Sequence, residues 1–381
     1  MTHVNNYNIE ILKWAAEKYG SNAINQKFPN LHDWISGDKF PTVRQLADFS
    51  KASSVPFGYF FLEKIPDLNT GVPLFRTQDP QPTEEYSNEL RDTINIIQNR
   101  QQWLKDYLIS DGFSPLPFVG SFDEKSNPVE VSLAIRKYLD LKDNWAEEFP
   151  NWEKALKHLF DKIDQSEIFV AINGIVENNT HRSLNPKEFR GFVLTDKYVP
   201  YIFINGKDFT AAKMFTLAHE LAHVWLGKTA AFDLRFMQPS NELIEILCNQ
   251  IAAEFLIPEN KLLEVWKRLR FEDNAIFLLA KTFKVSQIVA ARRLLDAEKI
   301  TYQDFIQFYN QYLIDLQNAQ MNKKGGGNFF NSQNYRVGKS FFSHVNTAAM
   351  EGKLLYTEAY KLTGLYGKTY STFEKDYFNK S

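Results

Sequence analysis

The sequence predicts an α+β protein that is mostly helical, with a small antiparallel or mixed sheet beside one strongly apolar helix and a separate helical bundle at the N-terminus. Three observations lead there. Residues 215–227, Phe-Thr-Leu-Ala-His-Glu-Leu-Ala-His-Val-Trp-Leu-Gly, are apolar nearly all round at helical period, the habit of a buried core helix. Two apolar runs rich in β-branched and aromatic residues precede it, Ile168 to Ile172 and Val199 to Asn205, and read as strands. The first 62 residues break into short helical patterns separated by Gly, Pro and Asn.

At the N-terminus, Glu10 to Tyr19, Asn25 to Trp34, Val43 to Ser53 and Val55 to Leu62 are the short elements. Trp34-Ile35-Ser36-Gly37 and Pro41-Thr42-Val43-Arg44-Gln45-Leu46 give this region its resemblance to an XRE-type helix-turn-helix domain, assigned to residues 1–66. A DNA-binding module normally carries a basic face. Here six basic residues stand against five acidic ones up to residue 60, and the turn before Trp34 lacks a cluster of Arg, Asn or Gln able to read base edges. Protein contact is therefore favoured over DNA. Residues 67–83, with Asn69-Thr70-Gly71, Pro73, Pro80 and Pro82, read as a linker.

From residue 84 to 315 the patterns belong to one domain. Glu84 to Leu108 is a long helix with Leu90, Ile94, Ile97 and Leu104 among its apolar positions; residues 128 to 165 continue as helices anchored by Trp145 and Trp152. The strand at Val199 to Asn205 leads into the apolar helix, and either lines a cleft where an extended peptide could pair with it or is internal. Asp208 or Thr210 would cap that helix and Gly227 would close it. Two or three further helices follow, over Lys261 to Arg270, Asp273 to Thr282 and Val285 to Ala297.

His219-Glu220-x-x-His223 sits in the apolar helix. Positions i and i+4 share a face, so both imidazoles can reach one metal ion, and Glu220 follows the first of them directly. By composition the pattern arises in roughly one chain of this length in a hundred. A catalytic zinc takes three protein ligands and leaves one position for water. In the next helix, started by Ser240 or Asn241 and ended by Pro258, Glu245, Asn249, Ala252 and Leu256 fall on one face, so Glu245 is the third ligand and Glu242 the reserve. Asn249 can orient a ligating His through its second nitrogen. Cys248, the only cysteine, reads as a small packed hydrophobe.

These residues resemble the ImmA/IrrE metallo-endopeptidases. The resemblance rests on Phe192 to Asp196, Pro200 to Asn205, Phe215 to Gly227, and Glu245-x-x-x-Asn249-x-x-Ala252 to Pro258. Cys248-Asn249-Gln250-Ile251-Ala252 is a mild departure from the family's pattern that keeps the ligand position. It implies a zincin-like domain over 84–315 that binds Zn2+, with Mn2+ the alternative, and cleaves a regulatory protein such as a repressor or antitoxin in mobile-element, phage or stress-response control. In that chemistry Glu220 is the general base. A second electrophile for the oxyanion would come from His181, Arg190, Tyr198, Tyr201 or His344. The other reading is a transcription regulator or toxin–antitoxin binding component whose metal is structural or sensory.

Residues 316–381 include Lys323-Lys324-Gly325-Gly326-Gly327, which lacks the flanking residues of a phosphate loop, and then a Tyr- and Phe-rich stripe assigned to an accessory subdomain. The 381 residues, 44% apolar, allow a large core and two or three domains. A net charge of −2 argues against general nucleic-acid or anionic-membrane partners. One cysteine, no secretory pattern and no run of 18 apolar residues point to a soluble cytoplasmic protein.

Overall fold

The computed structural model describes residues 3–18, 27–53, 55, 57–65, 87–232, 243–321 and 333–378. The expected linker, Glu242 with the candidate caps Ser240 and Asn241, and the glycine run at 325–327 lie outside the described residues. The chain divides into two units, Met1–Thr70 and Gly71–Ser381. Among the described residues no helix is long and apolar enough to cross a membrane.

The first unit holds helices Ile9–Lys18, Leu31–Ser36 and Val43–Ser53 and a 3-10 turn, Phe57–Phe61. Thr42 and Gln45 start the third helix reciprocally: the Thr42 amide donates to Gln45 Oε1 at 2.8 Å, and the Gln45 amide to Thr42 Oγ1 at 3.2 Å. Ile11, Leu12, Leu31, Trp34, Leu46, Phe49 and Phe60 form the core. Asp33 pairs with Lys39 at 2.6 Å, which neutralises charge on the Leu31–Ser36 helix.

The second unit is α+β. Its sheet has the order β1-β5-β4-β6, with β1 Phe169–Asn173, β4 Gly191–Leu194, β5 Tyr201–Asn205 and β6 Ala230–Phe232; β2 Ile175–Val176 and β3 Asn179–Ser183 form a separate hairpin. β1 runs parallel to β5, and β4 runs antiparallel to both β5 and β6. The sheet is therefore mixed. β1, β4 and β5 are buried along their whole length, as strands covered on both faces should be. Val170, Ile172, Val193, Ile202 and Ile204 pack into the core that contains the apolar helix Thr210–Leu226. Phe169, Ala171, Phe192, Tyr201 and Phe203 point the other way, into a second core closed by the long helix Asn88–Ser110 and by Val337, Phe341, Phe342, Val345, Tyr370 and Phe373. The C-terminal stripe thus shares a core with the sheet.

β5 lies between β1 and β4, so of the two expectations for Val199–Asn205 the internal strand holds and no peptide can add to it. The helix that follows starts at Thr210 after Phe209 with no side-chain cap; Asp208 instead pairs with Arg190 at 2.7 Å. It ends at Gly227, which is left-handed at φ 66°. Gly227 also lies so close to Gly120 that a Cβ would come within 2.9 Å of the Gly120 Cα.

Candidate metal centre

The site is built on two helices in contact, Thr210–Leu226 and Leu243–Leu256. The small residues Ala218, Ala222 and Ala252, all fully buried, let them approach closely. Every residue from Lys213 to Leu226 is buried, so the helix holds four apolar turns and, within them, His219, Glu220 and His223 with no exposure at all. Polar groups in such surroundings are costly unless they meet partners.

Three of them do. His219 Nε2 lies 3.2 Å from Glu245 Oε2, His223 Nε2 lies 3.1 Å from Glu245 Oε1, and the two Nε2 atoms are 3.1 Å apart. His219, His223 and Glu245 form a group that could hold a metal ion. A tetrahedral ion with bonds of about 2.0–2.1 Å would set neighbouring donor atoms roughly 3.3–3.4 Å apart, close to what the three side chains show without it. On the far side of the ring, His219 Nδ1 and Asn249 Oδ1 are 3.1 Å apart. A proton on Nδ1 satisfies that contact and leaves the Nε2 lone pair facing Glu245 and His223, as a metal ligand requires.

Electrostatics separates the two carboxylates. Burial drives the Glu245 carboxyl up, but the adjacent His219 and His223 outweigh it and hold the group well below the usual range, as an anion. Burial, reinforced by the charge of Glu245, pushes Glu220 far up. Neither Glu220 oxygen has a hydrogen-bond partner among the described residues. An orphaned buried carboxyl costs about 1–3 kcal/mol, a penalty that a proton-handling role would explain. Burial also lowers the pKa of His223, which favours the neutral ligand form.

Gly191, the first residue of β4, lies against this pair of orphan oxygens. A Cβ there would meet Thr216 Cγ2 at 2.7 Å, the Phe203 carbonyl oxygen at 3.0 Å and Glu220 Oε1 at 3.1 Å. Sequence reasoning passed over Gly191 and Thr216. A glycine at the head of the apolar run Phe192 to Leu194 was the available signal, since glycine in a strand often marks close backbone approach.

The expected second electrophiles fare differently. Tyr201 and His344 lie on the far face of the sheet, Tyr201 with its hydroxyl towards the Val337 carbonyl and His344 among Tyr107, Phe113 and Phe169. Tyr198 packs against the same far core, and His181 is exposed on β3. Arg190, next to Gly191, is engaged by Asp208. Cys248 is packed in the apolar core, and burial pushes its thiol far up.

The Glu245 helix is held at its far end. Glu254 pairs with Arg293, Arg136 Nη1 donates to the Glu254 and Phe255 carbonyls at 2.8 and 3.1 Å, and Arg293 Nε donates to the Ile257 carbonyl at 3.1 Å. Two cations thus satisfy the last carbonyls of the helix, where its dipole is negative.

Residues 176–295 match the family model of the IrrE N-terminal-like domain, a span that contains His219, Glu220, His223, Glu245 and Asn249. Residues 337–375 match a domain of unknown function, DUF8813. No curated protein matches the chain. The first match supports the resemblance to the ImmA/IrrE family and, with it, a metallopeptidase.

Proposed function

We propose that the chain is a zinc-dependent endopeptidase of the cytoplasm, with manganese the alternative ion, that cuts a specific regulatory protein of the repressor or antitoxin kind. The observation that carries this reading is the pairing of three converging ligand side chains, His219, His223 and Glu245, with a neighbouring carboxyl, Glu220, left without a hydrogen bond. A structural zinc site more commonly closes with four ligands.

His219, His223 and Glu245 would hold the ion. When bound, the ion supplies Lewis acidity and lowers the pKa of a coordinated water. Glu220 accepts the proton of the attacking water and returns it to the leaving amine as the peptide C–N bond breaks. Asn249 fixes the tautomer and plane of His219. The apolar packing around Leu217, Leu221 and Val224 keeps bulk water from the inner side of the site. In the N-terminal unit, the helix-turn-helix resemblance and the Asp33–Lys39 pair fit contact with a protein partner better than with DNA.

The test compares newly formed protein N-termini in cells making wild type or Glu220→Gln. Peptide ends present only with wild type would identify the substrate. Identical profiles from the two metal-loaded proteins, under inducing and non-inducing conditions alike, would contradict proteolysis.

A further inference from the structure

The sheet edge beside Glu220 is already filled by the chain itself. β4 touches Glu220 through Gly191, and β5 occupies one side of β4. On the other side lies β6, only three residues long, with Phe232 paired to Gly191, Ala231 to Phe192 and Ala230 to Val193. The sheet's opposite edge, β1, is two strands away and has the helix Gln333–Val337 packed on it.

We infer that β6 is a resident strand in the peptide-binding position, and that an extended substrate engages by displacing it from β4. This rests on the peptidase reading above. Distance decides between this arrangement and pairing of substrate to the outer edge of β6. Neighbouring strands are about 4.8 Å apart, so a peptide in the place of β6 would lie one spacing from β4, and one outside β6 would lie two, roughly 9.6 Å. A general base acting through one water reaches a scissile carbonyl only within about 6–7 Å. Glu220 lies against Gly191 of β4, so the inner position is a whole strand spacing nearer to it than the outer one.

The local architecture suits exchange. A strand this short offers few ladder bonds, and an incoming backbone replaces them with its own. One end is tethered: the Thr195 amide donates to Thr229 Oγ1 at 3.0 Å and the two hydroxyls are 2.8 Å apart. β6 would therefore peel from the Phe232 end, the end opposite Gly191 and Glu220. Past Thr195 a groove of about 630 Å³, lined among others by Gly120, Phe122, Lys197, Leu226 and Lys228, offers an extended chain lying along β4 room to continue.

The experiment uses the full metal-loaded chain and two probes: acetohydroxamate, which needs only the metal, and a five-residue peptidyl hydroxamate, which needs the strand position as well. Ala230→Pro removes the β6 amide that faces Val193 of β4, and Thr229→Val, a second variant in case the proline disturbs folding, loosens the tether. Strand exchange predicts roughly tenfold tighter binding of the peptidyl hydroxamate to both variants with acetohydroxamate unchanged. Unchanged or weaker peptidyl binding in a folded variant that still takes acetohydroxamate overturns it. The readout is binding, so a protein that binds both probes yet cuts nothing contradicts the peptidase reading while the exchange stands. Failure of both probes to bind metal-loaded wild type removes both.

Discussion

Gly191 and Glu220 are in contact across the sheet–helix boundary: a methyl group on Gly191 would stand 3.1 Å from Glu220 Oε1. Because Thr216 Cγ2 and the Phe203 carbonyl crowd the same point at 2.7 and 3.0 Å, the backbone or the carboxyl must move. Gly191→Ala is expected to cost about 1–3 kcal/mol of stability by overpacking and to lower turnover further by shifting Glu220. Thermal melts and single-turnover cleavage of the identified substrate would measure the two effects; an unchanged rate would mean the carboxyl's position is not critical.

Glu220→Gln keeps the side-chain volume and removes a buried acid that has no hydrogen bond. The variant should melt at or above the wild-type temperature, keep its metal, and lose about 10²–10⁴-fold in rate, the usual contribution of a positioned base. Wild-type turnover in this variant would rule out Glu220 as the base.

Among the described residues, Asn249 meets the site through His219 Nδ1. Asn249→Ala should weaken metal binding by about 10–100-fold while the helix remains folded. Titration against a competing chelator, with circular dichroism as control, reads this directly; equal affinity would reduce Asn249 to an ordinary helix residue.

A pH dependence is expected from the other side of the molecule. Asp164 ends the helix Trp152–Asp164, accepts from the Ser340 amide at 3.0 Å, and is pushed up to about 7 by burial. Its unfolded value is near 3.8. Between these values the folded chain holds a proton that the unfolded chain has released, so the contribution of Asp164 to stability is full below about pH 4 and is lost as the pH rises through 7. The loss amounts to a few kcal/mol. Urea unfolding of wild type and Asp164→Asn at pH 5 and 8 should show a drop in the former that is reduced in the latter; equal drops would assign the dependence elsewhere.

How far these features were legible in the sequence varies with the range of the contact. His219 and His223 could be placed together because one helix sets their spacing, and Glu245 and Asn249 because they lie one turn apart on the next helix. The Gly191–Glu220 contact depends on which strand borders the metal helix, and no periodicity encodes strand order. β6 is three residues long, too short for an alternation to register. The apolar C-terminal stripe was visible, but its burial against Phe169, Tyr201 and Phe203 was not, since those strands read as apolar on both faces.

The central claim is that His219, His223 and Glu245 hold a metal ion. Elemental mass spectrometry of purified wild type and Glu245→Ala tests it most directly. The account predicts about one zinc or manganese per wild-type chain and marked loss in the variant. Wild type that takes up neither ion after addition, or a variant that retains a full complement, would contradict it.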